Sequence, residues 1–241
     1  MSVDDVYTKS LLHFEGDDGS GSFIDESKKP WYPYVVQIDD AQKKFGKTSG
    51  VFAAGVIKTP NHTDWYLGST DFTIDFLVKS TQTTQYATLI SNSPGTWGTG
   101  MWSLLTSASL AGDLSFYCYN YNSGTPMLQT AGSLFNTGNW VHVALVRYGN
   151  DWTIYVDGVS KATRNTATTV QDINNVICIG GDNTYNRYYV GWMDEFRYSK
   201  IARWTGAFTP PANAYHASAT YLHARRDRMN MMGISTQNSR S

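Results

Sequence analysis

Breaking a glycosidic bond takes two carboxyl groups flanking a groove. They stand about 5 Å apart when one is the nucleophile, and somewhat farther when a water must fit between them. The acids that stand together in a strand-like run are Asp194 and Glu195. Neighbours on a strand point to opposite faces, so these two cannot straddle one groove; Asp194 is expected to serve structure instead. The five histidines, His13, His62, His142, His216 and His223, are scattered. His13 and His142 lie in strand-like runs, where a satisfied or surface-facing role is expected rather than metal ligation. The chain has no Gly-x-Ser-x-Gly elbow, no His-Glu-x-x-His and no phosphate-cradling glycine loop. No catalytic residue is expected. Glu15-Gly16-Asp17-Asp18 clusters the oxygens that calcium favours, but a solvated turn accounts for it as well, and neither a metal nor another cofactor is expected. Cys118 and Cys178 lack metal-type spacing and read as buried free thiols.

The aromatic residues are the better candidates for binding. Sugars lay their C–H faces on aromatic rings, while a tyrosine hydroxyl or an indole N–H fixes orientation. Tyr117, Tyr119 and Tyr121 alternate with Phe116 and Cys118. If the latter two face a core, the three tyrosines line an exposed face. Trp97, in Pro94-Gly95-Thr96-Trp97-Gly98, and Tyr185, after Asp182-Asn183, fall in loops. These five are the candidate carbohydrate-binding residues.

Strands must carry them. Phe72, Ile74, Phe76 and Val78 alternate with Thr73, Asp75 and Lys79, a period-two pattern with one buried face. Residues 140–148 are apolar on both faces, as a central strand is. Trp152-Thr153-Ile154-Tyr155-Val156 runs into Asp157-Gly158, which supplies the two positive φ angles of a type I′ hairpin. In residues 191–200 the pattern places Trp192, Asp194, Phe196 and Tyr198 on one face, with Met193, Glu195, Arg197 and Ser199 on the other. Pro210-Pro211 then ends pairing. Strand patterns alternate with turn signals, with no convincing amphipathic helix before residue 212. This is an all-β, two-sheet antiparallel sandwich.

No run reaches the roughly 18 apolar residues of a membrane-spanning helix, and Met1-Ser2-Val3-Asp4-Asp5 lacks the features of a signal peptide. Charge is uneven. From residue 212 onward Arg225, Arg226, Arg228 and Arg240 face only Asp227, which leaves +3 there and −4 on the rest, given a total of −1. A basic tail on an acidic body suggests contact with an acidic partner surface. The division is therefore a sandwich over residues 1–211 and an arm over 212–241, with Tyr221, Arg225, Arg226, Arg228 and Met231 as candidate assembly contacts.

Several motifs together resemble the laminin-G-like, concanavalin A-like lectin/glucanase superfamily. They are Leu11-Leu12-His13-Phe14-Glu15-Gly16, Lys44-Phe45-Gly46, Asp71-Phe72-Thr73-Ile74-Asp75-Phe76, Trp140-Val141-His142-Val143-Ala144-Leu145, Ile154-Tyr155-Val156-Asp157-Gly158 and Asp194-Glu195-Phe196-Arg197. The resemblance covers residues 9–215. Ala202-Arg203-Trp204 followed by Phe208-Thr209-Pro210-Pro211 is similar to the ending of the versions found in bacteriophage structural proteins. The resemblance implies a concanavalin A-like jelly roll of two curved sheets, first and last strands adjacent, with a concave face or rim loops that often bind sugars. Glucanases of the superfamily carry Glu-x-Asp-x-Glu strands, a pattern not found here. The implied function is a non-enzymatic virion structural protein, a capsid decoration or cement protein or a tail accessory. The alternative is a carbohydrate-binding receptor-recognition module of a tail fibre, with a glycoside hydrolase ranked third. The implied partners are other virion proteins, a second copy or a host glycan, without nucleic acid or membrane, and the implied place is the virion after synthesis in the host cytoplasm.

Overall fold

The structure, a computed structural model, describes residues 6–81, 86–92, 98–106, 112–132, 138–182 and 186–215. Among the described residues thirteen antiparallel strands form one hydrogen-bonded ribbon in the order β11-β10-β9-β4-β13-β3-β12-β5-β6-β7-β8, with β1 beside β13 and β2 beside β3. The first layer holds β1 (Thr8–Leu12), β4 (Phe72–Ser80), β9 (Trp140–Tyr148), β10 (Asp151–Val156), β11 (Val159–Asn165) and β13 (Val190–Ser199). The second holds β5 (Thr88–Ser91), β6 (Trp102–Thr106), β7 (Leu114–Cys118), β8 (Leu128–Gln129) and β12 (Ile177–Ile179).

The corner between the layers is β3 (Ser49–Thr59), whose first half pairs with β13 and whose second half pairs with β12. It turns at Ala54, φ 64°, opposite Val35 at φ 54° in β2 (Tyr32–Asp39). Gly55 is required at this corner, because a Cβ there would lie 2.2 Å from the Val35 carbonyl oxygen. The sequence pattern names no strand over residues 32–39. Pro33 weakens the signal, and a proline is tolerated here because β2 pairs only with β3.

Between the layers lies one large core. Phe72, Ile74, Phe76 and Val78 all enter it, as their alternation predicts. Phe116 of β7 stacks on Trp152 of β10 at 5.9 Å, which joins the two layers directly. Central position explains why β9 is apolar on both sides: it lies between β4 and β10. The Asp157-Gly158 turn has φ 49° and 76°, as a type I′ hairpin demands. Cys118 and Cys178 are free and buried.

The other face of the first layer is partly covered, over β4, β9 and β10. After β13 the chain folds back as a strap, setting Ala202, Trp204 and Phe208 on Ala144, Val146 and Tyr155. Trp204 and Phe208 stack at 3.9 Å, and Phe208 donates its N–H to the Gly158 carbonyl at 3.0 Å. Gly158 can be nothing larger, since a Cβ would stand 1.8 Å from the Phe208 carbonyl oxygen. Thr73 and Asp75, outward by alternation, are buried under this strap.

One sequence expectation needs correction. Strict alternation over residues 191–200 breaks at a bulge, where Asp194 pairs with Leu77 but Arg197 pairs with Asp75. Glu195, at φ 53°, takes up the extra residue. Met193, Phe196 and Tyr198 therefore enter the core together, while Trp192 stays partly exposed and donates its indole N–H to Asp39 at 2.7 Å.

Candidate functional site

Residues of the second layer that point away from the core form a second, largely polar layer that is itself buried, with Thr88, Ser91, Ser103 and Ser115 each at most 2% exposed. Ile177, Ile179, Leu104, Phe116 and Cys118 point inward. Their alternates line up across paired strands: Lys58 opposite Cys178, Cys178 opposite Ser91, Ser91 opposite Ser103, and Ser103 opposite Tyr117. A second row runs from Thr88 through Leu105 and Ser115 to Gln129. Neighbouring strands lie about 4.8 Å apart, so the side chains of each row are regularly spaced. The hydroxyls of Thr88, Ser91 and Ser115 are buried without a hydrogen-bond partner.

Tyr86 and Arg187 border this face. The Thr88 N–H donates to the Arg187 carbonyl at 2.8 Å, which fixes that backbone beside β5. The Arg187 guanidinium carbon lies 5.0 Å from the Tyr86 ring centre. Tyr86 holds φ 61°, a conformation that bulky side chains rarely adopt and that tends to persist where a site requires it. Burial raises the Tyr117 phenol above its usual value; the nearby Tyr86 adds to the rise and Arg187 opposes it. Tyr86, Tyr117 and Arg187 are thus electrostatic neighbours. Burial pushes the Cys178 thiol up to about 12, so it stays protonated at neutral pH.

Of the five candidate binding residues, Trp97 and Tyr185 lie outside the described residues, as do all five candidate assembly residues of the arm. Tyr117 faces outward on β7 but is only 9% exposed. Tyr119 comes just after the end of β7, half-buried, and donates its N–H to the Met101 carbonyl at 3.0 Å. Tyr121 turns back through a bond to the Cys118 carbonyl and packs against the core. Its hydroxyl accepts from Arg164 at 2.6 Å. The three tyrosines do not form a ladder, because β7 ends at Cys118 and a turn rotates the residues beyond it. Tyr86, Arg187 and the serine row were missed. Ser115 and Tyr117 shared a legible alternation, whereas Arg187 carried no local signal.

The acids are engaged elsewhere. Asp194 accepts the N–H groups of Lys44 and Phe45 at 2.9 and 3.0 Å. Glu195 binds His13 at 2.8 Å and the Tyr215 N–H at 2.7 Å. Glu15 accepts from the Lys47 N–H at 2.9 Å, and Asp18 from the Asp40 N–H at 3.3 Å. Among the described residues no three His, Cys, Asp or Glu side chains stand close enough to hold a metal ion. His62 caps a 3-10 turn, Thr63–Trp65, while His142 is buried beside Asp75 and Tyr215. His216 and His223 lie outside the described residues.

A family model described as the concanavalin A-like lectin/glucanases superfamily matches residues 52–205. No curated protein matches the sequence. Among solved structures, the binding domain of Paraclostridial Mosquitocidal Protein 1 is similar at 16% identity and TM-score 0.64, over 81% of this chain and 49% of that one. The binding domain of botulinum neurotoxin DC, in complex with SialylT, is similar at 13% identity and TM-score 0.56, over 83% and 49%. Domain 4 of AbnA, an extracellular arabinanase from Geobacillus stearothermophilus, in complex with arabinotriose, is similar at 18% identity and TM-score 0.55, over 86% and 96%. The chain thus spans about half the length of the toxin binding domains and nearly all of the arabinanase domain. At these identities the likeness is one of fold.

Proposed function

The chain belongs to the concanavalin A-like lectin/glucanases superfamily, and on that premise we propose that it is a non-catalytic, glycan-binding structural component of a bacteriophage virion, a capsid decoration or tail accessory protein. The observation that carries the glycan reading is the outward face of β5, β6 and β7. At its border it sets the partly exposed Tyr86 and Arg187 together, with Tyr117 as their electrostatic neighbour. Aromatic carbon and a cationic donor are what a sugar's C–H face and its oxygens recognise. Similar domains in complex with arabinotriose and with SialylT support the same reading. Asp194 and Glu195 serve backbone and histidine partners, which favours binding over hydrolysis.

A glycan array probed with the intact protein is expected to show saturable binding. Tyr86→Ala and Arg187→Gln each weaken it at least tenfold, while Tyr117→Phe, which loses only a hydroxyl, costs less. Binding that is unchanged in all three variants sinks this assignment of the face.

The virion reading rests on the phage-like ending at residues 202–211 and on the basic tail. Tyr215 is fixed on the first layer and is the attachment point of residues 216–241. Truncation after residue 216 is expected to leave a folded body with unchanged thermal stability that no longer joins particles. A truncated protein that still co-purifies with particles at the wild-type ratio excludes anchoring by the tail.

A further inference from the structure

An apolar patch stands uncovered at the corner between the two layers. It crosses three neighbouring strands, with Tyr32, Tyr34 and Val35 on β2, Ala53 and Ala54 on β3, and Val190 on β13. Val190 stands opposite Ala53, and the Tyr34 and Val35 carbonyls press on Gly55, so the patch is continuous. The two tyrosines are each 61% exposed, Val35 is 56% and Val190 36%. Ala53 and Ala54 are exposed as well. The strap residues Ala202, Trp204 and Phe208 pack elsewhere, on β9 and β10.

Val35 sets this patch apart from ordinary surface. Its φ of 54° is left-handed, a conformation in which a β-branched side chain is strained while glycine or asparagine is at ease. The valine is not part of the core, so burial does not offset the strain. A strained residue whose side chain faces solvent points to something outside the fold that it meets. Strand addition is closed off. The far end of β2 is already paired on its outer side, where the Gly19 N–H donates to the Ile38 carbonyl at 2.9 Å and the Ile38 N–H to the Ser20 carbonyl at 2.8 Å. Along the rest of that edge Pro33 removes a donor. A partner must therefore meet the side chains.

Area and charge select that partner. Each tyrosine exposes about 100–150 Å², so the whole patch is on the order of 400 Å². A stable interface takes about 800 Å² from each side, and the contact is accordingly weak. The charges beside the patch are self-complementary. Lys58 stands opposite Tyr32 at the start of β2. At the other end Asp17, Asp18 and Asp40 are exposed, tied together by the Asp40 N–H on Asp18 at 3.3 Å. They outnumber Lys43, which donates to the Asp40 carbonyl at 2.9 Å. Lys44 and Lys47 lie beyond, with their N–H groups on Asp194 and Glu15. Midway between residues 32 and 40 is Val36, next to Val35. A two-fold axis there lays the Lys58 end of one copy against the acidic end of another, with the apolar corners face to face. We propose that this corner is a weak two-fold contact between copies of this chain. Val35 of each copy meets the apolar corner of the other, and Lys58 faces Asp40. The contact leaves the free protein monomeric at micromolar concentration and forms where copies are crowded. It uses no residue of the tail or of the Tyr86–Arg187 face, so it stands or falls apart from the function proposed above.

The test is small-angle X-ray scattering of the intact protein from about 10 µM to about 1 mM, the range over which a weak contact fills. The mass read from forward scattering is expected to climb from that of the monomer towards twice it. Val35→Asn, which suits the left-handed backbone, and Tyr34→Ser each raise the dissociation constant at least fivefold. Lys58→Glu does the same, and combining it with Asp40→Lys restores association, because the two reversals rebuild the charge pair in the opposite sense. Truncation after residue 216 leaves the concentration dependence unchanged. A monomer mass throughout the range overturns the proposal, as does association that Val35→Asn and Tyr34→Ser leave untouched. A double reversal that associates no better than Lys58→Glu alone refutes the two-fold arrangement. Association lost on truncation belongs to the tail and overturns the proposal too. If one of the two apolar variants proves unfolded in its dilute scattering profile, the other carries the test.

Discussion

Replacing Asp75 with asparagine is expected to lower the unfolding free energy by about 3–5 kcal/mol, the range for breaking a buried ion pair on one side. Asp75 is fully buried. It accepts Arg197 through Nε at 3.0 Å and Nη2 at 2.8 Å, the Tyr215 hydroxyl at 2.6 Å, and lies 3.4 Å from His142 Nε2. An asparagine keeps one acceptor and sets an amide N–H₂ against a guanidinium, so a cation stays buried without its counter-charge. Burial works against the Asp75 carboxylate, but Arg197 and His142 outweigh it and hold its pKa far below the usual range. This stabilisation is present above about pH 4, the ordinary carboxylate value, and is lost only as acid reaches the depressed pKa.

The same cluster holds the strap. The Arg197 guanidinium carbon lies 3.8 Å from the Tyr215 ring centre, and burial together with the Asp75 charge lifts the Tyr215 phenol well above its ordinary value. Asp75→Asn is thus expected to expose residues 201–215 to protease as well as to lower the denaturant midpoint. Tyr215→Phe alone costs about 1–3 kcal/mol, the range for a buried acceptor that loses its donor. A double-mutant cycle of the two reads their coupling. If Asp75→Asn lies within about 1 kcal/mol of wild type and its strap resists protease as before, the clasp does not hold the first layer closed.

That clasp marks where the sequence stopped being legible. Period two placed Phe72, Ile74, Phe76 and Val78 correctly, because burial between two layers is a local signature. The same rule made Asp75 a surface residue. What covers it, Trp204, Phe208 and Tyr215, comes from more than 120 positions later, and no periodicity encodes so distant a contact. The bulge at Glu195 was hidden for a related reason. A left-handed glutamate carries no glycine to announce it, and its compensation lies in His13 and the Tyr215 N–H on other segments. The candidate site shows the same division. Tyr117 was readable from its alternation with Phe116, while Tyr121 was lost to a turn. Arg187 belongs to the face only because the Thr88 N–H ties its backbone there.

Stability is expected to fall as pH rises from about 4 to 7, with Asp194 as the chief cause. Burial pushes its carboxyl up to about 7, against the pull of the Lys44 and Phe45 N–H groups. An unfolded aspartate titrates near 4. Between these values the folded state keeps a proton that the unfolded state has released, so each pH unit across the window favours unfolding. Three units at about 1.4 kcal/mol each set an upper bound of about 4 kcal/mol. Below pH 4 and above pH 7 this contribution is flat. His13 adds a slope of the same sign at higher pH: burial lowers its pKa, but the Glu195 carboxylate outweighs that and raises it, so its stabilisation is full below about 6.5 and fades above. The two are separable by substitution. Asp194→Asn keeps a carbonyl oxygen for the Lys44 and Phe45 N–H groups but puts an amide N–H₂ where one carboxylate oxygen is already buried without a partner. It is expected to be about 1–3 kcal/mol less stable than wild type at pH 4.5, and to equal or exceed it at pH 8. Denaturant unfolding at half-unit steps of pH, with a constant m-value, reads the crossing directly. Parallel curves for wild type and Asp194→Asn would show that Asp194 is ionised throughout, its charge carried by the two backbone N–H groups despite burial.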